Sequence, residues 1–513
     1  MNSLAENRRV RLVAKVGRSP LLRHTLVALL AIAIGLAGGA AVAFGPYWAA
    51  FAALLALACG YTVLVNTNAG LAAIILLSTQ LPFATLPFKA VVTPALLELA
   101  LLAVMAVWLL RLLAYPDERL ELTALGLPII GFMGQTLFSF LLGSGGSPDS
   151  LTLHNYFKFL LAILFFFSVV NCVRTPNQAT FVLRCLMISG MMAAVVGLIL
   201  YALPDPVALR FLVSLGRFGY PESGRVLRYV EDDPNGMERA IGLSVDPNSF
   251  GGLLALIGAL VITQAVAERP ALPRKWLWLM AGTLSVTILL TASRAAVGGL
   301  AVGVMYAAVM RYRKLWWAMA AAGFGAIMLY LVFGVGESMV ERFIEGARFE
   351  DQANQMRLNE YRNAIEIIQR YPLFGIGFAQ APDIDLGAGV SSIYFAMAER
   401  IGLLGLAGFF GIITTFFIRG WRALHTALHT RGDVELAGRL IGLQAAIAAA
   451  LAVGLLDHYF FNIEFSHMVA LFWGTIGLAL ALEVQAEQSE PTEDSLESAV
   501  GIRHSARISE EVL

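Results

Sequence analysis

Two stretches of this sequence gather arginine and exclude lysine. Residues 203–246 hold Arg210, Arg217, Arg225, Arg228 and Arg239, and residues 335–390 hold Arg342, Arg348, Arg357, Arg362 and Arg370. A guanidinium stays charged and offers a rigid donor fork that matches phosphate oxygens, so phosphate recognition is the chemistry these stretches suggest. Acidic residues outnumber the arginines in both, and the plainer reading is a solvated loop laced with surface ion pairs, each worth at most about 1 kcal/mol. Arg294 stands apart, because it interrupts two apolar runs in Leu290–Ala295. An ionisable group at such a place is a functional candidate by default, and a snorkelling anchor is the competing reading. Lys158, Glu399, Arg400, Asp457, His458, Glu464 and His467 also lie in or beside apolar runs, and His154 and Asn155 open another. Glu464 and His467 are three apart, a spacing that pairs side chains on one helical face.

The elements that must position these groups are membrane helices. Of the 513 residues, 58% are hydrophobic and only 14% are charged, with a mean hydropathy of +0.73. A soluble chain carries about 25% charged residues, so too little polar side chain is present to cover soluble surfaces. A helix needs roughly 20 apolar residues to cross a bilayer, and such runs number about 14 here. The fold class expected is therefore all-α, a polytopic transmembrane bundle with two long extracytoplasmic loops. Its parts are a basic N-terminus at 1–23, helices at 24–202, a loop at 203–246, and helices at 247–334. A second loop at 335–390, helices at 391–484 and a polar tail at 485–513 complete it.

Alternating sides places Arg111, Arg174, Arg269, Arg274, Lys275, Arg311, Arg313, Lys314, Arg419, Arg422, Arg431 and Arg439 in one set of loops. That is the positive-inside pattern, with both termini cytoplasmic. The runs at 275–291 and 294–311 are separated so briefly that they predict a tight hairpin or re-entrant pair. In the second long loop Leu358, Tyr361, Ile365 and Ile368 share a helical face, with Arg357, Glu360 and Arg370 off it, and Pro372 ends the pattern. An amphipathic helix resting that apolar face on the membrane or the bundle is expected.

The formal net charge is zero, which argues against nucleic-acid binding. Cys59, Cys172 and Cys185 show no zinc or disulfide spacing. No HExxH, Walker or Rossmann motif occurs, so chemistry on a soluble cofactor has no support.

Four segments together resemble the O-antigen ligase/O-antigen polymerase family of bacterial envelope glycosyltransferases. They are Arg239–Gly251 (RAIGLSVDPNSFG), Thr291–Gly299 (TASRAAVGG), Arg357–Tyr361 with Tyr371–Gly377 (RLNEY and YPLFGIG), and Ala398–Gly405 (AERIGLLG). The second is similar to the family's SxSR span start, the third to its arginine–aromatic helix and PLxGxG turn, and the fourth to its glutamate–glycine span. The resemblance covers about residues 150–480. One departure stands out: family ligases carry a His-Asn pair just before the glutamate span, and Ser391, Ser392, Ile393 and Tyr394 occupy that stretch here.

The resemblance implies transfer of a glycan from a polyprenyl-diphosphate carrier to an acceptor hydroxyl at the outer face of the bacterial inner membrane, with no metal and no resident cofactor. Arg239, Arg294 and Arg357 are the expected diphosphate-binding groups, with Glu399 catalytic beside them. Asp246, Asn248, Arg362, Asp383, Asp385, Ser391, Ser392, Tyr394, His154 and Lys158 are the expected substrate contacts. Asp383, Asp385, Glu399 or His154 is left to supply a general base. Expected partners are the lipid-linked glycan, a glycan or lipid acceptor, membrane lipids and other envelope polysaccharide assembly proteins. The missing pair favours a polymerase over a ligase; a bicarbonate-type transporter or flippase, or an inactive scaffold, is the alternative class.

Overall fold

The computed structural model describes residues 61–62, 65–86, 93–114, 120–143, 148–333, 352–378 and 389–488. The basic N-terminus, the run at 24–45, nearly all of that at 47–65, Arg342, Arg348, Asp383, Asp385 and the tail from 489 lie outside these residues. Among the described residues there are fourteen α-helices and no named strand. They are α1 (Thr67–Gln80), α2 (Leu96–Ala114), α3 (Gly126–Gly143), α4 (Ser150–Cys172), α5 (Pro176–Ala202), α6 (Asp205–Ser214) and α7 (Pro247–Val266). The rest are α8 (Arg274–Leu290), α9 (Arg294–Met310), α10 (Lys314–Phe333), α11 (Gln352–Arg370), α12 (Ile393–His425), α13 (Val434–Val453) and α14 (Ser466–Gln488).

Eight of the described helices (α2, α3, α4, α5, α7, α12, α13 and α14) are long and apolar enough to cross a membrane. The protein is a polytopic helical membrane protein. Helix α1 falls short of a full span: it has 14 residues and ends before Pro82, because proline lacks an N–H and disfavours helix in the residue before it. Helix α9 is apolar but also short of a full span.

Helices α7, α13 and α14 form the centre, with 89%, 83% and 94% of their apolar windows buried, whereas α2 and α3 bury only 28% and 33%. The outer helices present leucine and tryptophan outward, such as Leu110, Leu113 and Trp317, as a lipid-facing surface requires. Lipid offers no hydrophobic drive between helices, so close packing of small residues decides which ones meet. Gly303 illustrates it: a Cβ there would stand 2.7 Å from the Ala445 carbonyl and 2.9 Å from Ala449 Cβ of α13. That approach seats α9 on α13 and α7. The expected α8–α9 hairpin is corrected here: these helices pack on different sides of α7 and barely touch each other. A glycine–alanine face draws α9 to α13 more strongly than the short Thr291–Ser293 connection draws it to α8.

The starts of α4, α7, α9, α12 and α14 share one end of the bundle with the 203–246 loop and α11. Local caps set these starts. Asp246 accepts from the Asn248 and Ser249 N–H groups at α7, each at 2.9 Å, and Ser293 Oγ accepts from Ala296 N at α9, satisfying otherwise orphaned donors.

Candidate functional site

At that end Arg239 is held by its surroundings. Its Nε donates to the Thr291 carbonyl at 2.8 Å and a terminal nitrogen to Asn248 Oδ1 at 2.6 Å. Its neighbour Ala240 N donates to the Leu290 carbonyl at 2.9 Å. Arg239 therefore lies against the turn whose next helix begins with half-buried Arg294.

Arg357 arrives from α11. Its guanidinium stands 3.9 Å from Asp457 Oδ1, in the connection between α13 and α14. Asp457 is 3% exposed, and its Oδ2 has no hydrogen-bond partner among the described residues. Burial pushes its carboxyl up to about 7, against the pull of Arg357 and Arg239 and with the push of Asp246 and Glu360. The Tyr459 hydroxyl lies within the field of Asp246 and Asp457. Arg357 thus faces a buried carboxylate that also lies within the field of Arg239, which comes from a distant part of the chain.

The face of α11 that packs on the bundle corrects the expected apolar face in part: Tyr361 of that face packs there, while Leu358 and Ile365 are left to the membrane surface. Ala364 and Ile367 are buried, while Leu358 and Ile365 are 37% and 44% exposed. Arg357, Glu360, Tyr361, Ala364 and Ile367 form the bundle side. Glu360 accepts from Ser391 N at 2.9 Å; Tyr361 OH donates to the Ser391 and Leu455 carbonyls, each at 3.3 Å, and its ring stacks on Phe395. The correction has a physical reason. The bundle offers a carboxylate and open backbone groups there, and charged and phenolic side chains satisfy them better than leucine would.

The glycine-rich turn after α11 plugs a break in α12. Gly402 has φ 71° and ψ 177° inside that helix, and the carbonyls exposed by the break are taken up by the turn. Ile376 N donates to the Glu399 carbonyl and Gly377 N to that of Arg400, both at 2.9 Å; in return Leu403 N donates to the Pro372 carbonyl at 2.8 Å. A side chain at Gly402 would collide with the Leu373 backbone. The third and fourth sequence segments are therefore two halves of one joint.

The remaining expected residues divide. Glu399 is 1% exposed and accepts from Gly389 N at 3.2 Å, with Arg400 Nε 3.4 Å away. Ser392 Oγ donates to the Gly454 carbonyl at 3.2 Å and Tyr394 OH to that of Leu451 at 2.9 Å, so both tie α12 to the end of α13. Arg362 is exposed on the outer side of α11. His154 forms a separate pair with Glu98 of α2 at 2.8 Å, and Lys158, one turn further along α4, lies within the field of Glu98 and Glu464. The expected Glu464–His467 pair is not made. Glu464 is exposed in the turn before α14 begins at Ser466, so helical spacing does not apply to it. His467 instead lies against Phe83 and Phe465, with ring centroids at 5.1 Å and 5.8 Å.

The chief residue that sequence reasoning named without giving it a role is Asp457, with Glu360, Tyr361 and Tyr459 around it. An aspartate in the short connection Leu455–Phe461 was visible as a boundary charge, but nothing local tied it to Arg239 or Arg357.

Fold and site together define a polytopic helical membrane protein with a buried arginine–carboxylate cluster at one end. Residues 276–410 match the family model described as O-Antigen ligase. The match runs from α8 into α12, takes in Arg294, Arg357 and Glu399, and supports assignment to the O-antigen ligase/polymerase family. It also supports a role of the ligase or polymerase type in general. No curated protein matches the chain.

Proposed function

We propose that the chain is a glycan polymerase of the bacterial inner membrane, moving glycan from a polyprenyl-diphosphate carrier to an acceptor hydroxyl at the outer face. The observation that carries this reading is the pairing of Arg357 with buried Asp457, in the field of Arg239 from the other arginine-rich stretch. The orientation rests on the opposite end of the bundle, where Arg174, Arg269, Arg274, Arg311, Arg313, Arg419, Arg422 and Arg431 lie as a cytoplasmic face would require. Both termini then belong on the cytoplasmic side.

The chemistry follows from the charges. The acceptor oxygen bonds to the anomeric carbon of the donor sugar while the bond from that carbon to the diphosphate breaks. The lipid diphosphate leaves with the electron pair, and Arg239, Arg294 and Arg357, rather than a metal ion, meet the developing charge. Asp457 takes the acceptor proton: its carboxyl titrates near neutral pH, where a general base works best. It thereby fills the place left by the absent His-Asn pair. Glu399 braces the joint between α12 and the Pro372–Gly377 turn.

The test is direct. Purified protein in nanodiscs, given a polyprenyl-diphosphate-linked repeat unit, should build longer glycan, read on a gel. Arg239→Ala and Arg357→Ala should each slow this by about a hundredfold or more, the usual scale for losing a charge-stabilising donor. Unchanged rates in both would overturn the diphosphate-clamp reading, and bicarbonate uptake without glycan growth would move the chain to the transport class.

A further inference from the structure

The 203–246 loop doubles back on itself just before it delivers Arg239. Tyr229 and Glu238 form an antiparallel bridge. On either side of it Val230 N donates to the Met237 carbonyl at 2.9 Å and Arg239 N to the Arg228 carbonyl at 2.8 Å. One register fits all three contacts: 228 stands opposite 239, 229 opposite 238, and 230 opposite 237. Residues directly opposite each other send their side chains to the same face, and successive pairs alternate faces. Arg228 and Arg239 therefore share one face, and Tyr229 and Glu238 share the other. That second face turns to Asp205: the Tyr229 hydroxyl donates to its Oδ2 at 2.8 Å, and Glu238 lies within its field.

Like charges directly opposite each other destabilise such a pairing, and the chain answers only one of these two arginines. Arg239 is held by the Thr291 carbonyl and Asn248 Oδ1. Arg228 is half-buried. Its Nε is buried without a hydrogen-bond partner, and no carboxylate pairs with its guanidinium, among the described residues. Arg225, three residues earlier, is by contrast neutralised by Asp232. A buried donor left unpaired is costly. An anion lying on both arginines removes that cost and the repulsion together.

We propose that Arg228 binds the second phosphate of a diphosphate whose first phosphate lies on Arg239. The inference rests on the proposed transfer from a polyprenyl-diphosphate carrier and gives that carrier its distinguishing contact. Opposite residues of this kind of pair stand about 5.5 Å apart at Cα, so two guanidinium forks meet two phosphates joined by one bridging oxygen. A monophosphate engages Arg239 and leaves Arg228 unanswered. Arg228 thus selects a diphosphate lipid over a monophosphate one.

The measurement is native mass spectrometry of the intact chain released from nanodiscs, with polyprenyl diphosphate and polyprenyl monophosphate as competing lipids. Inorganic diphosphate is the soluble arm. The unaltered chain should retain the diphosphate lipid in preference. Arg228→Ala should cut that preference by about tenfold, the scale of one charge-assisted hydrogen bond, with monophosphate retention within about twofold of the unaltered chain. Arg228→Gln, which keeps much of the side chain's bulk, should do the same, and Arg225→Ala should leave the preference intact. An unchanged preference in both Arg228 variants, or an equal loss in Arg225→Ala, overturns the proposal. Equal loss of both lipids shows that Arg228 holds the loop instead, and overturns it too. Inorganic diphosphate displacing the lipid at equal concentration overturns the lipid source. Glycan growth on the same samples separates the two readings. A chain that prefers diphosphate through Arg228 but builds no glycan keeps this site and loses the transfer. Glycan growth without that preference loses this site alone.

Discussion

The two ends of this helix bundle are both rich in arginine, yet they hold it in opposite ways. At the end opposite the candidate site each arginine stands in direct ion-pair contact with its partner, and one of those partners, Glu483, is itself 1% exposed. Arg311 bonds Glu268 at 2.7 Å and 3.0 Å, Arg439 pairs with Glu435 one helical turn away, and Arg419 bridges two glutamates of α14. At the candidate site Arg357 reaches across a long stretch of chain to an aspartate that is 3% exposed, within the field of Arg239. Charge in a water-poor setting acts more strongly on whatever enters than the same charge facing solvent. The number of arginines therefore says little about where chemistry occurs. What separates the ends is the length of chain that must fold to bring arginine and carboxylate together.

That contrast can be broken most forcefully at Arg357. Arg357→Ala should lower glycan transfer by about a hundredfold, while Arg311→Ala should leave the rate within about twofold; equal losses would erase the distinction between the ends. Asp457 sharpens it next. Burial raises its carboxyl to about 7 from 3.8, so the folded chain holds that proton more tightly than the unfolded one. Its stabilising contribution is complete below pH 3.8 and is lost as pH rises through about 7, whereas transfer that needs the carboxylate increases over the same interval. Asp457→Asn should abolish that rise in rate and flatten the stability change, read as a pH–rate profile and as melting temperature against pH.

A smaller effect is expected at the joint that carries the site. Gly402→Ala should cost about 2–4 kcal/mol, by left-handed strain and collision with the Leu373 backbone, measured by thermal unfolding in detergent. Tyr394→Phe removes one bond to the Leu451 carbonyl and should cost about 1 kcal/mol in the same assay. Glu268→Ala should cost the least, under about 1 kcal/mol, because its ion pair is half open to water.

Much of the fold was legible in the chain. Hydropathy marked α2 to α5, α7 and α12 to α14, since a bilayer span needs only a local run of apolar residues. The α8–α9 hairpin failed and the expected face of α11 packs on the bundle only at Tyr361, for one shared reason. The docking face of α11 and the expected α8–α9 hairpin both depended on what the rest of the bundle presents, and a hydrophobic pattern records only a segment's own side chains. Glu464 and His467 failed more locally, because the helix begins two residues after the glutamate.

The sequence by itself determined the membrane class, the two stretches of arginine without lysine, and the glycine-bearing segments that resemble the O-antigen ligase family. Each is a property of neighbouring residues or of composition, and so survives without a fold. Only the tertiary structure decided that the Pro372–Gly377 turn fills the break at Gly402, and that Arg357 pairs with Asp457 in the field of Arg239. Electrostatic coupling depends on distance through space and on excluded water, and neither is set until the helices have packed.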